Sequence, residues 1–126
     1  MNKNNLVLQL FLDCGTGFNE ENSLVKDHEK GKSLYEFDIS GFDVTPYGFR
    51  LDPLNASCVL MLGNNYIIDK DGNKLDLNFQ FSNADIFDRM LYFAIEDPQI
   101  YFFTNKDIKG GYERAIFEIY YYYANS

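Results

Sequence analysis

Apolar and polar residues alternate along most of this chain with a period of two, and glycine, proline, asparagine or aspartate breaks the alternation at short intervals. A period of two sends successive side chains to opposite faces, so each interrupted run predicts a strand buried on one side. The first, 6–12, sets Leu6, Leu8, Leu10 and Leu12 on one face, with Gln9 interrupting the other. A short edge strand is expected at 24–26, and 33–40 opposes Tyr35, Phe37 and Ile39 to Glu36 and Asp38. Phe49 and Leu51 then face away from Arg50 and Asp52 until Pro53, which fixes φ and lacks a donor, ends the strand. On the solvent face, Arg50 is expected to matter little to stability. Residues 57–62 resume as a nearly all-apolar strand, a composition that predicts cover on both faces. A bulge is expected at Gly63-Asn64-Asn65 before the pattern continues over 66–68.

The clearest turn is Asp69-Lys70-Asp71-Gly72-Asn73, whose Asp-Gly pair joins 67–68 to a second hairpin arm at 75–81. In that arm Leu75, Leu77, Phe79 and Phe81 share one face, and Asp76, Asn78 and Gln80 the other. Residues 82–89 predict a helical turn capped by Ser82 or Asn83. Strands follow at 91–95 and 100–103, then a Gly-Gly loop at 104–111 and a long terminal strand at 112–123. About nine short strands, with turn signals roughly 8 to 12 residues apart and no helix of ordinary length, make the chain all-β. The expected architecture is an antiparallel β-sandwich of the jelly-roll or galactose-binding-like kind. No repeat or linker divides 1–126, which reads as one domain.

Composition narrows the function. The chain has 12 Phe and 10 Tyr among 126 residues, a strand-favouring excess. Its 11 basic against 19 acidic residues leave a net charge of −8, which repels phosphate backbones and anionic lipid, so nucleic acid is not an expected partner. No apolar run approaches the roughly 20 residues of a membrane helix, and 1–5 lacks a leader's basic and apolar regions. A cytoplasmic location, with Cys14 and Cys58 reduced, is expected.

Several motifs carry less chemistry than they suggest. Gly15-Thr16-Gly17 follows a strand, but the third glycine of a dinucleotide loop would fall at Glu20, and no Gly-Lys-Ser/Thr completes a phosphate loop. His28, the sole histidine, stands in a charged loop, where an exposed side chain is expected; histidine-activated nucleophiles and multi-histidine metal sites are thereby excluded. Asp69-Lys70-Asp71 has the D-x-D spacing with which sugar-nucleotide transferases hold a divalent metal, yet Gly72 directly after it favours the hairpin turn. Asp13, Glu20 and Glu21 either offer oxygen ligands to a structural calcium or are ordinary loop carboxylates. No catalytic residue, metal or cofactor is expected.

Gln9-Leu10-Phe11-Leu12-Asp13, Gly15-Thr16-Gly17-Phe18-Asn19-Glu20-Glu21-Asn22-Ser23, Phe49-Arg50-Leu51-Asp52-Pro53-Leu54-Asn55, Cys58 and Asp97-Pro98-Gln99-Ile100 occur in this order. Together they resemble the small β-rich domain appended to bacterial glycosyltransferases of cell-surface polysaccharide synthesis. The resemblance implies a noncatalytic accessory domain, sugar-binding and excised from a larger transferase, whose partners are an oligo- or polysaccharide and the parent catalytic domain. Sugar sites on sandwiches set aromatic rings against sugar faces, beside amides and carboxylates that take the hydroxyls. Such residues on expected outer faces are Tyr92 and Glu96, Asn78 and Gln80, and the period-two series Glu118, Tyr120 and Tyr122. The alternative is a docking or homo-oligomerisation module whose tyrosines pack against the parent domain or a second copy.

Overall fold

The structure, a computed structural model, describes residues 5–105 and 111–124. Among them are β1 (Val7–Leu12), β2 (Ser23–Asp27), β3 (Leu34–Asp38), β4 (Phe49–Asp52), β5 (Cys58–Asp69), β6 (Lys74–Asp76), β7 (Asn78–Ser82), β8 (Asp85–Phe87), β9 (Met90–Phe93), β10 (Ile100–Phe103) and β11 (Tyr112–Ala124), with one 3₁₀ turn, Glu20–Asn22. They build two antiparallel sheets. The front sheet runs β2-β1-β4-β10-β7, and the back sheet β3-β11-β5-β9-β8, with β6 also paired to β5. The expected β-sandwich is the observed one.

Alternation explains the core. Leu8, Leu10, Leu12, Phe49, Leu51, Ile100 and Phe102 point inward from the front sheet, and Tyr35, Phe37, Leu60, Ile67, Phe93 and Phe117 from the back. Phe117 meets Phe37 from its own sheet at 5.9 Å and Phe102 from the other at 5.5 Å between ring centroids, so aromatic contacts bridge the layers. The Pro53 corner carries the chain from β4 in the front sheet to β5 in the back sheet.

Eleven described strands replace the expected nine for local reasons. Residues 57–62 and 66–68 belong to a single strand, because the bulge keeps the ladder intact: Asn65 pairs with Phe117 and Leu62 with Ile119, leaving one extra residue on β5. A Cβ on Gly63 would lie 2.1 Å from Glu118 Oε1, so only glycine leaves that carboxylate its place. β5 is covered on one face only, since Val59 and Met61 are half-buried while Cys58 and Leu60 are buried. The arm 75–81 divides at Leu77: β6 stays on β5, and β7 crosses to pair with β10. Residues 82–89 are not a helical turn. The Ser82 hydroxyl accepts the Ala84 N–H at 2.9 Å, but the chain then forms β8 and returns as β9 through Asp88 (φ 48°) and Arg89 (φ 71°). The expected Gly-Gly loop lies largely outside the described residues.

Phe79 and Phe81 also depart from expectation. Tyr101 opposes Phe81 and Phe102 opposes Phe79, so Gln80 is the extra residue of a bulge. The two rings remain 41% and 50% exposed on this edge strand instead of entering the core together.

Candidate functional site

A groove of about 950 Å³ opens where the connection from β2 to β3 crosses from one sheet to the other. One wall is formed by Asp27 at the end of β2 and by His28, Lys30, Gly31, Lys32 and Ser33 of the connection; the other is the end of β11 from Ile119 to Ala124. The connection is held at both ends. The His28 N–H donates to the Leu6 carbonyl at 2.9 Å, and the Ile119 N–H donates to the Ser33 carbonyl at 2.7 Å. Between them the buried Tyr35 hydroxyl accepts the Glu29 N–H at 3.1 Å, and Lys32 Nζ pairs with Glu29 at 2.9 Å.

The opposite wall is a run of tyrosines, Tyr120 to Tyr123, all bordering the groove. A regular strand would send alternate members away. Here Tyr121 pairs with Leu60 and Tyr123 with Val59, so Tyr122 is the extra residue of a bulge, which re-aims the side chains around it. Tyr120, Tyr122 and Tyr123 are 38%, 62% and 56% exposed. Tyr121 is the anchored member: its hydroxyl donates to the Pro53 carbonyl, its ring meets His28 edge-on at 4.6 Å, and burial pushes its pKa up. The Tyr120 hydroxyl donates to Glu118 Oε2 at 2.6 Å, and Glu118 Oε1 accepts the Asn64 N–H at 2.8 Å. Those bonds, the tyrosine's first, hold the Glu118 carboxyl below its usual range, and the carboxylate in turn raises the Tyr120 hydroxyl. Glu118 thus clamps the β5 bulge and fixes Tyr120.

The other expected site residues do not converge here. Tyr92 pairs with Val59, the partner of Tyr123, and so lies two strands away on the back sheet. Glu96 is exposed on the connection from β9 to β10. Asn78 and Gln80 lie on β7 at the far edge of the front sheet, where Asn78 Nδ2 donates to the Phe103 carbonyl. His28, read from sequence as exposed, is half-buried against Tyr121, and burial lowers its pKa. Its place depends on an anchor to Leu6 distant in sequence, which no local pattern reveals; Tyr123, by contrast, belongs to an unbroken run of four tyrosines, Tyr120 to Tyr123, a signal the sequence does carry.

Other sequence candidates have local tasks. Asp69 Oδ1 accepts the Asp71 and Asn73 N–H groups at 2.9 and 2.8 Å, so the D-x-D carboxylate holds a hairpin turn. Asp13 Oδ1 likewise accepts the Gly15 and Gly17 N–H groups at 2.8 and 2.9 Å, and Glu20 Oε2 accepts from Gln9. Among the described residues no His, Cys, Asp or Glu group is arranged to hold a metal ion, and Cys14 and Cys58 are free. No helix among them is long and apolar enough to cross a membrane. Comparison with protein-family models, curated proteins and solved structures found no match to this chain.

Proposed function

We propose that this chain is a noncatalytic carbohydrate-binding domain that serves a bacterial glycosyltransferase, and that its groove holds the sugar. The observation that supports this reading is the tyrosine wall: exposed rings of Tyr120, Tyr122 and Tyr123 face a cleft whose other side offers Ser33, His28, Asp27 and lysine groups. Rings stack on the apolar faces of sugars while hydroxyl, carboxylate and amine groups meet the sugar hydroxyls. An open groove gives little contact area, so a Kd of roughly 10 µM to 1 mM is expected. Titration calorimetry with bacterial surface oligosaccharides tests it. Tyr120→Ala and Tyr122→Ala should each weaken binding while the variants stay folded; unchanged binding in both would remove the sugar from this groove.

A second reading, docking against the rest of a longer protein, draws on the β7/β8 edge. Phe79 and Ile86 stand opposite the buried Phe102 and Leu91 but remain exposed, so the sandwich is open there. It predicts that Phe79→Ser and Ile86→Ser improve the solubility of the isolated chain and leave sugar titrations untouched.

A further inference from the structure

The outer face of the front sheet carries a second construction that shares no residue with the groove. Cross-strand pairing aligns Phe11 of β1, Arg50 of β4, Tyr101 of β10 and Phe81 of β7 in one row. The row is packed side by side. The Arg50 guanidinium lies over the Phe11 ring at 4.4 Å, and Phe81 stacks on Tyr101 at 4.3 Å with 14° between the planes. Phe18, delivered by the glycine loop, meets the Tyr101 edge at 5.6 Å. Beside this row runs a polar one. Gln9 pairs with Asp52, and Gln99 precedes β10 on the same side, its amide oxygen accepting the Tyr101 hydroxyl at 3.0 Å. Gln99 Nε2 donates to Asp97 Oδ2 at 2.9 Å, and Asn83 Oδ1 accepts the Gln99 N–H at 2.8 Å.

Each group is held before any ligand arrives. Arg50 Nε and Nη2 each donate to one Asp52 oxygen at 2.8 Å, a bidentate pair that neutralises both charges. With one ring face on Tyr101 and half its surface in solvent, Phe81 offers a fixed aromatic plane. Gln99 keeps a second amide N–H and Asp97 a second carboxylate oxygen, tied to the stacked Tyr101 through its hydroxyl's bond to Gln99. Fixed rings next to fixed hydrogen-bonding groups lower the ordering cost of binding a molecule that is apolar on its faces and hydroxylated at its rim. Charge selects further: with Arg50 paired to Asp52, the carboxylates of Asp97 and Glu20, both close enough to act on Asp52, add negative charge that disfavours anions.

We infer that this face is a second saccharide site, for an uncharged glycan, with Phe81 as stacking platform and Gln99 and Asp97 as hydroxyl partners. The sequence segments that build it, 9–20, 49–52, 81–83 and 97–101, are far apart in the chain and meet only through the order of the strands. Two separated sugar contacts on one small domain make it bivalent toward a polysaccharide.

The test is titration calorimetry on the whole chain with cello-, malto-, manno-, xylo- and chitohexaose, and with hexagalacturonate as the anionic counterpart. At least one neutral hexasaccharide should bind wild type with an affinity that falls about tenfold in Phe81→Ala, the scale of one stacking contact. Phe81→Leu, which keeps apolar cover on Tyr101 without a flat ring, should lose as much; Gln99→Ala should lose several-fold, and the same dependence on Phe81 should persist in a Tyr122→Ala background, where the groove's ring has already been removed. Hexagalacturonate should not depend on Phe81. Thermal melts of the variants confirm that they are folded. Loss in Tyr122→Ala with Phe81→Leu unchanged would overturn this site and leave the groove reading standing. Binding of none of the neutral hexasaccharides at millimolar concentration, or equal use of Phe81 by hexagalacturonate, would also overturn it.

Discussion

Arg50 and Leu51 are neighbours whose side chains point to opposite faces, and alternation ranks them differently from the structure. Leu51 is fully buried between the sheets, so Leu51→Ala removes core volume and should cost about 2–5 kcal/mol. Alternation alone places Arg50 in solvent, where removing it costs about 1 kcal/mol or less. In the fold its side chain is only 18% accessible, covers Phe11 and holds Asp52, whose carboxyl burial lifts above its usual range against the pull of the arginine. Arg50→Ala leaves that carboxylate without its partner and should cost about 1–3 kcal/mol in a urea titration. A loss indistinguishable from zero would show that the pair contributes nothing. Legibility at this scale follows geometry: inward residues declare themselves by period, whereas the value of an outward residue depends on its neighbours across the sheet, and those are set by strand order.

Among the elements, the hairpin at 69–73 and the terminal strand were legible because Asp-Gly turns and long aromatic runs are local signals. The β8–β9 hairpin was not, since its turn residues, Asp88 and Arg89, carry no glycine while both take positive φ. A side chain at φ 71° is strained, so Arg89→Gly should stabilise the protein by up to about 1 kcal/mol, less the entropy glycine adds to the unfolded chain, read as a rise in Tm. A fall in Tm would mean that Arg89 makes a compensating contact. The connection from β2 to β3 adds a pH dependence. Burial against Tyr121 lowers the His28 pKa below its unfolded value near 6.5, so the unfolded chain binds the proton more tightly. Stability should therefore be fully present above that value and decline as pH falls through about 6.5 toward the folded pKa. Urea midpoints at pH 7.5 and 5.5 should differ in that sense for wild type and much less for His28→Gln; an equal difference in both would assign it to carboxylates.

For the whole molecule, the sandwich was written in the alternation, but the order of strands was not. Sheet order decides which outward residues meet, and this explains why the expected sugar residues scattered. Tyr120 and Tyr122 reached a groove, Glu118 became a clamp, and Tyr92, Glu96, Asn78 and Gln80 went elsewhere. It also explains why Arg50, Tyr101 and Gln99 came together unforeseen. Near-neighbour regularity carries burial; long-range pairing carries the site. Whether the tyrosine groove holds sugar can be read from amide chemical-shift mapping of the whole chain. During titration with bacterial surface oligosaccharides, the amides of Tyr120 to Tyr123, His28 and Ser33 should shift together and saturate along one isotherm, and the shifts should vanish in Tyr122→Ala. Amides of the groove that stay fixed while saccharide reaches millimolar concentration would rule out a sugar site there.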